Sequence, residues 1–169
     1  MRKILFYSLS VCAIVIIGTL FLLRQLTYAQ MPDLQSAAQT AVDHSALFQI
    51  VSAEVYSNGP SCFVFTGTDK LGREMIVVSS KDRVLGSEYT DKGLKRSVLE
   101  DKARANGFQR IDRMTLGIVD PNGPNPFKSN GTTTLFWEIY GVNQQGKRQY
   151  SYLDFYTGNL LATYSLEAK

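Results

Sequence analysis

The distribution of apolar and polar positions sets the first two dozen residues apart from the rest. Ile4 to Leu23 is a run of twenty residues without a charge, and thirteen of them are Ile, Leu, Phe or Val. A helix of that length spans a hydrocarbon core of about 30 Å. The apolar side chains outweigh the Ser, Thr, Gly and Tyr scattered among them. Arg2 and Lys3 precede the run, and only Arg24 follows it closely. This asymmetry predicts a cytoplasmic terminus over residues 1–3, a transmembrane helix over 4–23, and extracytoplasmic domains beyond it. The protein is therefore expected in the cell membrane, single-pass. A cleaved signal peptide is the competing reading. It is disfavoured because Thr27-Tyr28-Ala29 is a poor small-x-small site and the run exceeds an h-region of roughly 7–15 residues.

Beyond the run the apolar period becomes helical. Leu34, Ala37, Ala38, Ala41, Val42 and Ser45 share one helix face, narrow and built of small residues suited to close packing on a sheet. From Phe48 to Ser79 the period shortens to two. Gln49–Tyr56 carries Val51, Ala53 and Val55 on one face, and Cys62–Thr68 and Glu74–Ser79 are β-branched and aromatic. Asp69-Lys70-Leu71-Gly72 reads as a hairpin loop with glycine where a positive φ is required. The order then recurs. Residues 94–106 favour a helix closed by Gly107, and strands are predicted at 109–119, 133–142, 148–155 and 160–165. Asn143-Gln144-Gln145-Gly146 is again four residues ending in glycine.

Superposing Gly72 on Gly146 gives an offset of 74 residues. Phe63-Val64-Phe65-Thr66-Gly67 then falls on Trp137-Glu138-Ile139-Tyr140-Gly141. Helix and three strands recur with matched turns, which predicts an internal duplication. The fold class read from this is α+β: the transmembrane helix followed by two tandem units, 30–88 and 89–169, each a helix packed on an antiparallel sheet. The boundary is placed in Gly86–Lys92. Units this small are marginal alone, so the two are expected to pack together.

Charge and candidate chemistry change this picture little. Setting aside Arg2 and Lys3, sixteen Lys and Arg stand against fifteen Asp and Glu, so the external part is near neutral and gives no reason to expect nucleic acid. Cys12 lies in the apolar run and Cys62 in a strand, so no disulfide between them is expected. His44 is the one histidine and lies off the apolar stripe. The motifs of zinc sites, nucleophile elbows, phosphate-binding loops and Ser-x-x-Lys enzymes are absent, and no carboxylate pair stands out. No enzyme, metal or cofactor is expected. Residues 92–113 hold seven Lys or Arg against three Asp or Glu, a solvated helix face or a contact for anionic lipid headgroups or wall polymers outside the membrane. The loop Pro121–Gly131 exceeds ordinary hairpin loops. Phe127 and Lys128 at its tip, with Trp137 among the aromatics of the last hairpin, are candidate partner contacts. Gly72, Gly146, Asp154, Thr157 and Gly158 are candidate turn residues.

Tyr150-Ser151-Tyr152-Leu153-Asp154-Phe155-Tyr156-Thr157-Gly158-Asn159-Leu160-Leu161 resembles the terminal segment of PepSY-type domains. Asp154 would accept hydrogen bonds from the turn backbone and Thr157-Gly158 would reverse the chain, a structural role. With Phe65–Gly72 and Leu135–Tyr140, the arrangement is similar to the TseB-like cell-wall elongation regulators, the YpmB family. The resemblance spans nearly the whole chain, although the loop at 120–131 is longer than the family pattern. It implies an N-terminal anchor, two tandem cystatin-like, PepSY-like units, and a non-enzymatic accessory role in Gram-positive bacteria. That role is peptidoglycan elongation and cell shape, through contact with a penicillin-binding protein or another wall-synthesis membrane protein. A PepSY-like inhibitor or chaperone of an exported peptidase, and an enzyme acting on wall polymer, are the alternatives.

Overall fold

The computed structural model describes residues 18–19, 34–56, 62–120, 127 and 134–166. Contacts divide the chain into residues 1–33 and residues 34–169. Of the first, Gly18 and Thr19 are described and are helical. No helix among the described residues is long and apolar enough to cross a membrane. The expected span at 4–23 and the terminus at 1–3 lie outside the described residues, apart from that pair.

The described residues of 34–169 hold two α-helices, α1 (Leu34–Asp43) and α2 (Arg96–Ala105), a short 3-10 helix at Thr90–Lys92, and eight strands. The strands are β1 (Gln49–Tyr56), β2 (Cys62–Thr68), β3 (Glu74–Ser79), β4 (Val84–Tyr89), β5 (Phe108–Ile118), β6 (Leu135–Asn143), β7 (Arg148–Asp154) and β8 (Leu160–Ser165). They form two antiparallel sheets of four, ordered β1-β2-β3-β4 and β5-β6-β7-β8. The α+β class thus matches the expectation from the sequence. One element differs: β4, at Val84–Tyr89, runs into the stretch Gly86–Lys92 expected to hold the boundary. Gly86 and Ser87 interrupt its alternation, and pairing with β3 supplies the order that propensity does not.

Alternation along the strands assigns the two faces of each sheet. Phe63, Phe65, Met75 and Val77 pack under Ala37 and Ala41 of α1. Cys62, Val64, Ile76 and Val78 face the other way and join Leu116, Ile118, Phe136 and Phe155 of the second sheet. Ile139, Leu153 and Met114 pack under Leu99 and Ala103 of α2. Each sheet thus carries a helix on one face, and a central apolar cluster joins the two sheets. The alanines let α1 lie close enough for the buried Ser79 hydroxyl to donate to the Ala37 carbonyl at 2.7 Å.

The two sheets repeat each other in detail. Asp69 Oδ1 accepts from the N–H groups of Leu71 at 2.8 Å and Arg73 at 3.0 Å. Seventy-four residues on, Asn143 Oδ1 accepts from Gln145 at 3.0 Å and Lys147 at 2.9 Å. Gly72 and Gly146 close these turns at φ 76° and 75°, in the left-handed region that glycine enters without penalty. Gly67 and Gly141 also correspond: a Cβ on either would collide with a carbonyl oxygen of the facing strand, Gln49 or Arg110.

Candidate interaction site

The face of the second sheet turned away from α2 carries three cross-strand rows. In the first, Arg113 pairs with Tyr140, Tyr140 with Tyr150, and Tyr150 with Tyr164, one residue from each strand. In the second, Thr115, Glu138, Tyr152 and Ala162 follow the same register. In the third, Gly117, Phe136 and Asp154 reach the central core. The first row spans three strand spacings, about 14 Å. Its residues are half-buried or exposed.

The tyrosines contact one another and the arginines. Tyr140 and Tyr150 have ring centroids 4.7 Å apart, and Tyr152 and Tyr164 meet edge to face at 5.9 Å. The guanidinium groups of Arg113 and Arg148 lie 6.0 and 5.6 Å from the Tyr140 ring centre, and Arg148 also donates to the Tyr140 hydroxyl. Side chains of this kind, large and rigid with a polar tip, are the ones that dominate protein interfaces.

Where this face meets the first sheet, a cleft of about 430 Å³ opens between β1 and β5. Its lining includes Glu54, Tyr56, Arg96, Asp112, Arg113 and Glu138. Glu138 is 2% exposed, and Arg113 Nη2 donates to its Oε1 at 3.2 Å. Burial, and secondly the charge of Glu138, pushes the phenols of Tyr56 and Tyr152 well above their ordinary value. They remain protonated donors at neutral pH. Asp112 is held below the usual carboxylate range by the hydrogen bond from Arg110, 2.7 Å away. The cleft offers paired charges and hydrogen-bond donors to a partner. Among the described residues, no group of three or more His, Cys, Asp or Glu side chains is placed to hold a metal ion.

Of the partner contacts expected from sequence, Phe127 requires correction. It is 6% exposed, with its ring 4.9 Å from Phe136 and 5.4 Å from Tyr152. The gap that the sheets leave above Phe136 takes this ring, so Phe127 closes the core and is not an exposed anchor. Lys128 lies outside the described residues. Trp137 is half-buried on the α2 side, away from the tyrosine row, and touches both the central and the α2 clusters.

Asp154 Oδ1 accepts from the N–H of Tyr156 at 3.0 Å, from the N–H of Thr157 at 2.7 Å and from the Thr157 hydroxyl at 2.8 Å. Gly158 follows at φ 65°. Sequence reasoning missed Glu138, Tyr56, Arg113 and Asp112. The period-two pattern placed Glu138 among aromatics, and a lone acid in such a strand was the available signal.

No family model matches the chain. It is 27% identical over 127 residues to the probable cell wall elongation regulator TseB of Bacillus subtilis (strain 168), covering 75% of this chain and 73% of that protein. Its fold matches the YpmB protein from Bacillus subtilis with a TM-score of 0.67 at 21% identity, over 79% of this chain and 98% of the other. The resemblance read from the motifs is thus found again in both sequence and fold.

Proposed function

We propose that this chain, TseB-like in sequence and YpmB-like in fold, is a membrane-anchored, non-enzymatic regulator or scaffold of peptidoglycan elongation. It acts by contact with a penicillin-binding protein. The observation that carries this reading is the similarity to a probable wall-elongation regulator over three quarters of the chain. The uncharged run at 4–23 supports tethering, which confines the partner to the same membrane and raises its effective concentration. The two repeated sheets, read as tandem cystatin-like, PepSY-like units of 30–88 and 89–169, form the external body. The row Arg113, Tyr140, Tyr150 and Tyr164 is the contact face.

Affinity capture of the full chain from detergent-solubilised membranes tests the reading. A penicillin-binding protein should be recovered with the parent chain and lost with a Tyr150→Ala, Tyr164→Ala double variant of unchanged circular dichroism. Recovery of no wall-synthesis enzyme, together with normal cell shape in a deletion strain, overturns it.

A further inference from the structure

The two sheets present one turn twice, and the pair shows which side chains the turn itself does not need. Asp69–Arg73 and Asn143–Lys147 make the same two backbone bonds onto Oδ1 and close on glycines at φ 76° and 75°. Within them, Leu71 stands where the second turn has Gln145. A second difference lies close to the first. Gly67 pairs with Ile50 and Gly141 with Ile111, so Phe48 corresponds to Gln109. Both glutamines are exposed. Phe48 and Leu71 are exposed too, at 62% and 79%. Large apolar side chains thus face solvent at two positions where the same local backbone accepts glutamine, so burial does not account for them.

Both residues line one groove of about 580 Å³, between the end of α1 and the Asp69–Gly72 turn, with Val42, Lys70, Arg73 and Tyr89 also in its wall. In the second sheet the equivalent gap is bridged, because the Gln144 N–H donates to the Gly107 carbonyl at 3.0 Å. No backbone bond joins the corresponding described residues, Lys70 and Ala46. The rim of the groove is basic. Arg73 Nε donates to Asp69 Oδ2 at 2.8 Å and its Nη2 to the Tyr89 hydroxyl at 2.7 Å, which sets the guanidinium 4.4 Å from the Tyr89 ring centre. Asp69 is buried and its charge is answered there. Lys70 is exposed and forms no ion pair among the described residues.

We propose that this groove docks a segment of a partner protein whose apolar side chains are flanked by carboxylates. Phe48, Leu71 and Val42 take the apolar groups, and Lys70 with the pre-set Arg73 takes the acid. A bilayer is the poorer match: recognition of anionic headgroups rests on clusters of about four to eight Lys or Arg, and the groove has two. The groove belongs to the first sheet, and its role does not rest on the tyrosine row of the second.

Photocross-linking in membranes tests this, using the full chain with Leu71 replaced by photoreactive benzoylphenylalanine. Illumination should join it to one protein, at a peptide that carries apolar residues beside Asp or Glu. The same group in place of Gln145 should give no such adduct. Phe48→Gln should cut the yield roughly tenfold, and Lys70→Glu should cut it several-fold by opposing the partner's acid. Both variants should keep the parent's urea midpoint, since glutamine stands at the position matching Phe48 and Lys70 is exposed. The proposal is overturned if no adduct forms, or if it forms on lipid, on a second copy or on another stretch of this chain. A joined peptide without carboxylates, or an unchanged yield with Phe48→Gln, overturns it equally. Whether the joined protein is a penicillin-binding protein decides the wider functional reading and leaves the role of the groove standing.

Discussion

Gly141 and Asp69 show how closely single positions constrain this fold. Gly141 faces the carbonyl oxygen of Arg110 across the β5–β6 pair, and that oxygen belongs to a backbone held by its own ladder. Gly141→Ala should therefore lower stability by about 1–3 kcal/mol in urea unfolding. A change within about 0.5 kcal/mol, the range of an inert surface site, would contradict the close approach. At Asp69, burial opposes ionisation. The N–H of Arg73, its guanidinium and the N–H of Leu71 outweigh this and hold the carboxyl below the usual range. A lowered folded value means stability that is present above the unfolded value, near 3.9, and lost as pH falls through the folded one. The second turn makes the same backbone bonds with Asn143. Asp69→Asn should therefore keep the turn yet show a smaller loss of urea midpoint than the parent when pH drops below about 4. Equal acid sensitivity in both proteins would refute the assignment.

At the scale of elements, most of the secondary structure was legible because each segment states its period. Ala37 and Ala41 announced the buried stripe of α1, and Gly107, at φ 94°, marked the end of α2. β4 was not legible. An edge strand containing Gly86 and Ser87 has weak intrinsic preference, and only the hydrogen bonds offered by β3 define it. α2 gives a quantitative test of the helix-to-sheet packing. Leu99 is fully buried against Ile139 and Leu153, while Val98 beside it is exposed. Leu99→Ala should cost about 2–5 kcal/mol, and Val98→Ala should stay within about 0.5. Comparable losses at both positions in denaturant titration would mean that the helix is rotated from the arrangement described.

For residues 34–169 as a whole, the central cluster makes the two sheets a single cooperative body. Cys62 lies in that cluster, and burial pushes its thiol up to about 11. Such a raised value contributes stability below the unfolded value, near 8.5, and that contribution is lost as pH rises from there through 11. With Cys12 replaced by Ser, a disulfide reagent at pH 8 should modify Cys62 only at the rate of global unfolding, and promptly in urea. Fast modification of the native protein would show that the sheets separate independently.

The turn chemistry of Asp69, Asn143 and Asp154, the helix faces and the class of fold all follow from residues close together in the chain. Local periodicity and the φ preference of glycine are short-range properties, so the sequence by itself determined them. What lies across from a strand face is a long-range property. Alternation put Glu138, Tyr152 and Phe136 on one side of β6 and β7. Only tertiary packing decided that Phe136 enters a core closed by Phe127, that Glu138 is buried beside Tyr56, and that Tyr140, Tyr150 and Tyr164 align with an arginine into one row.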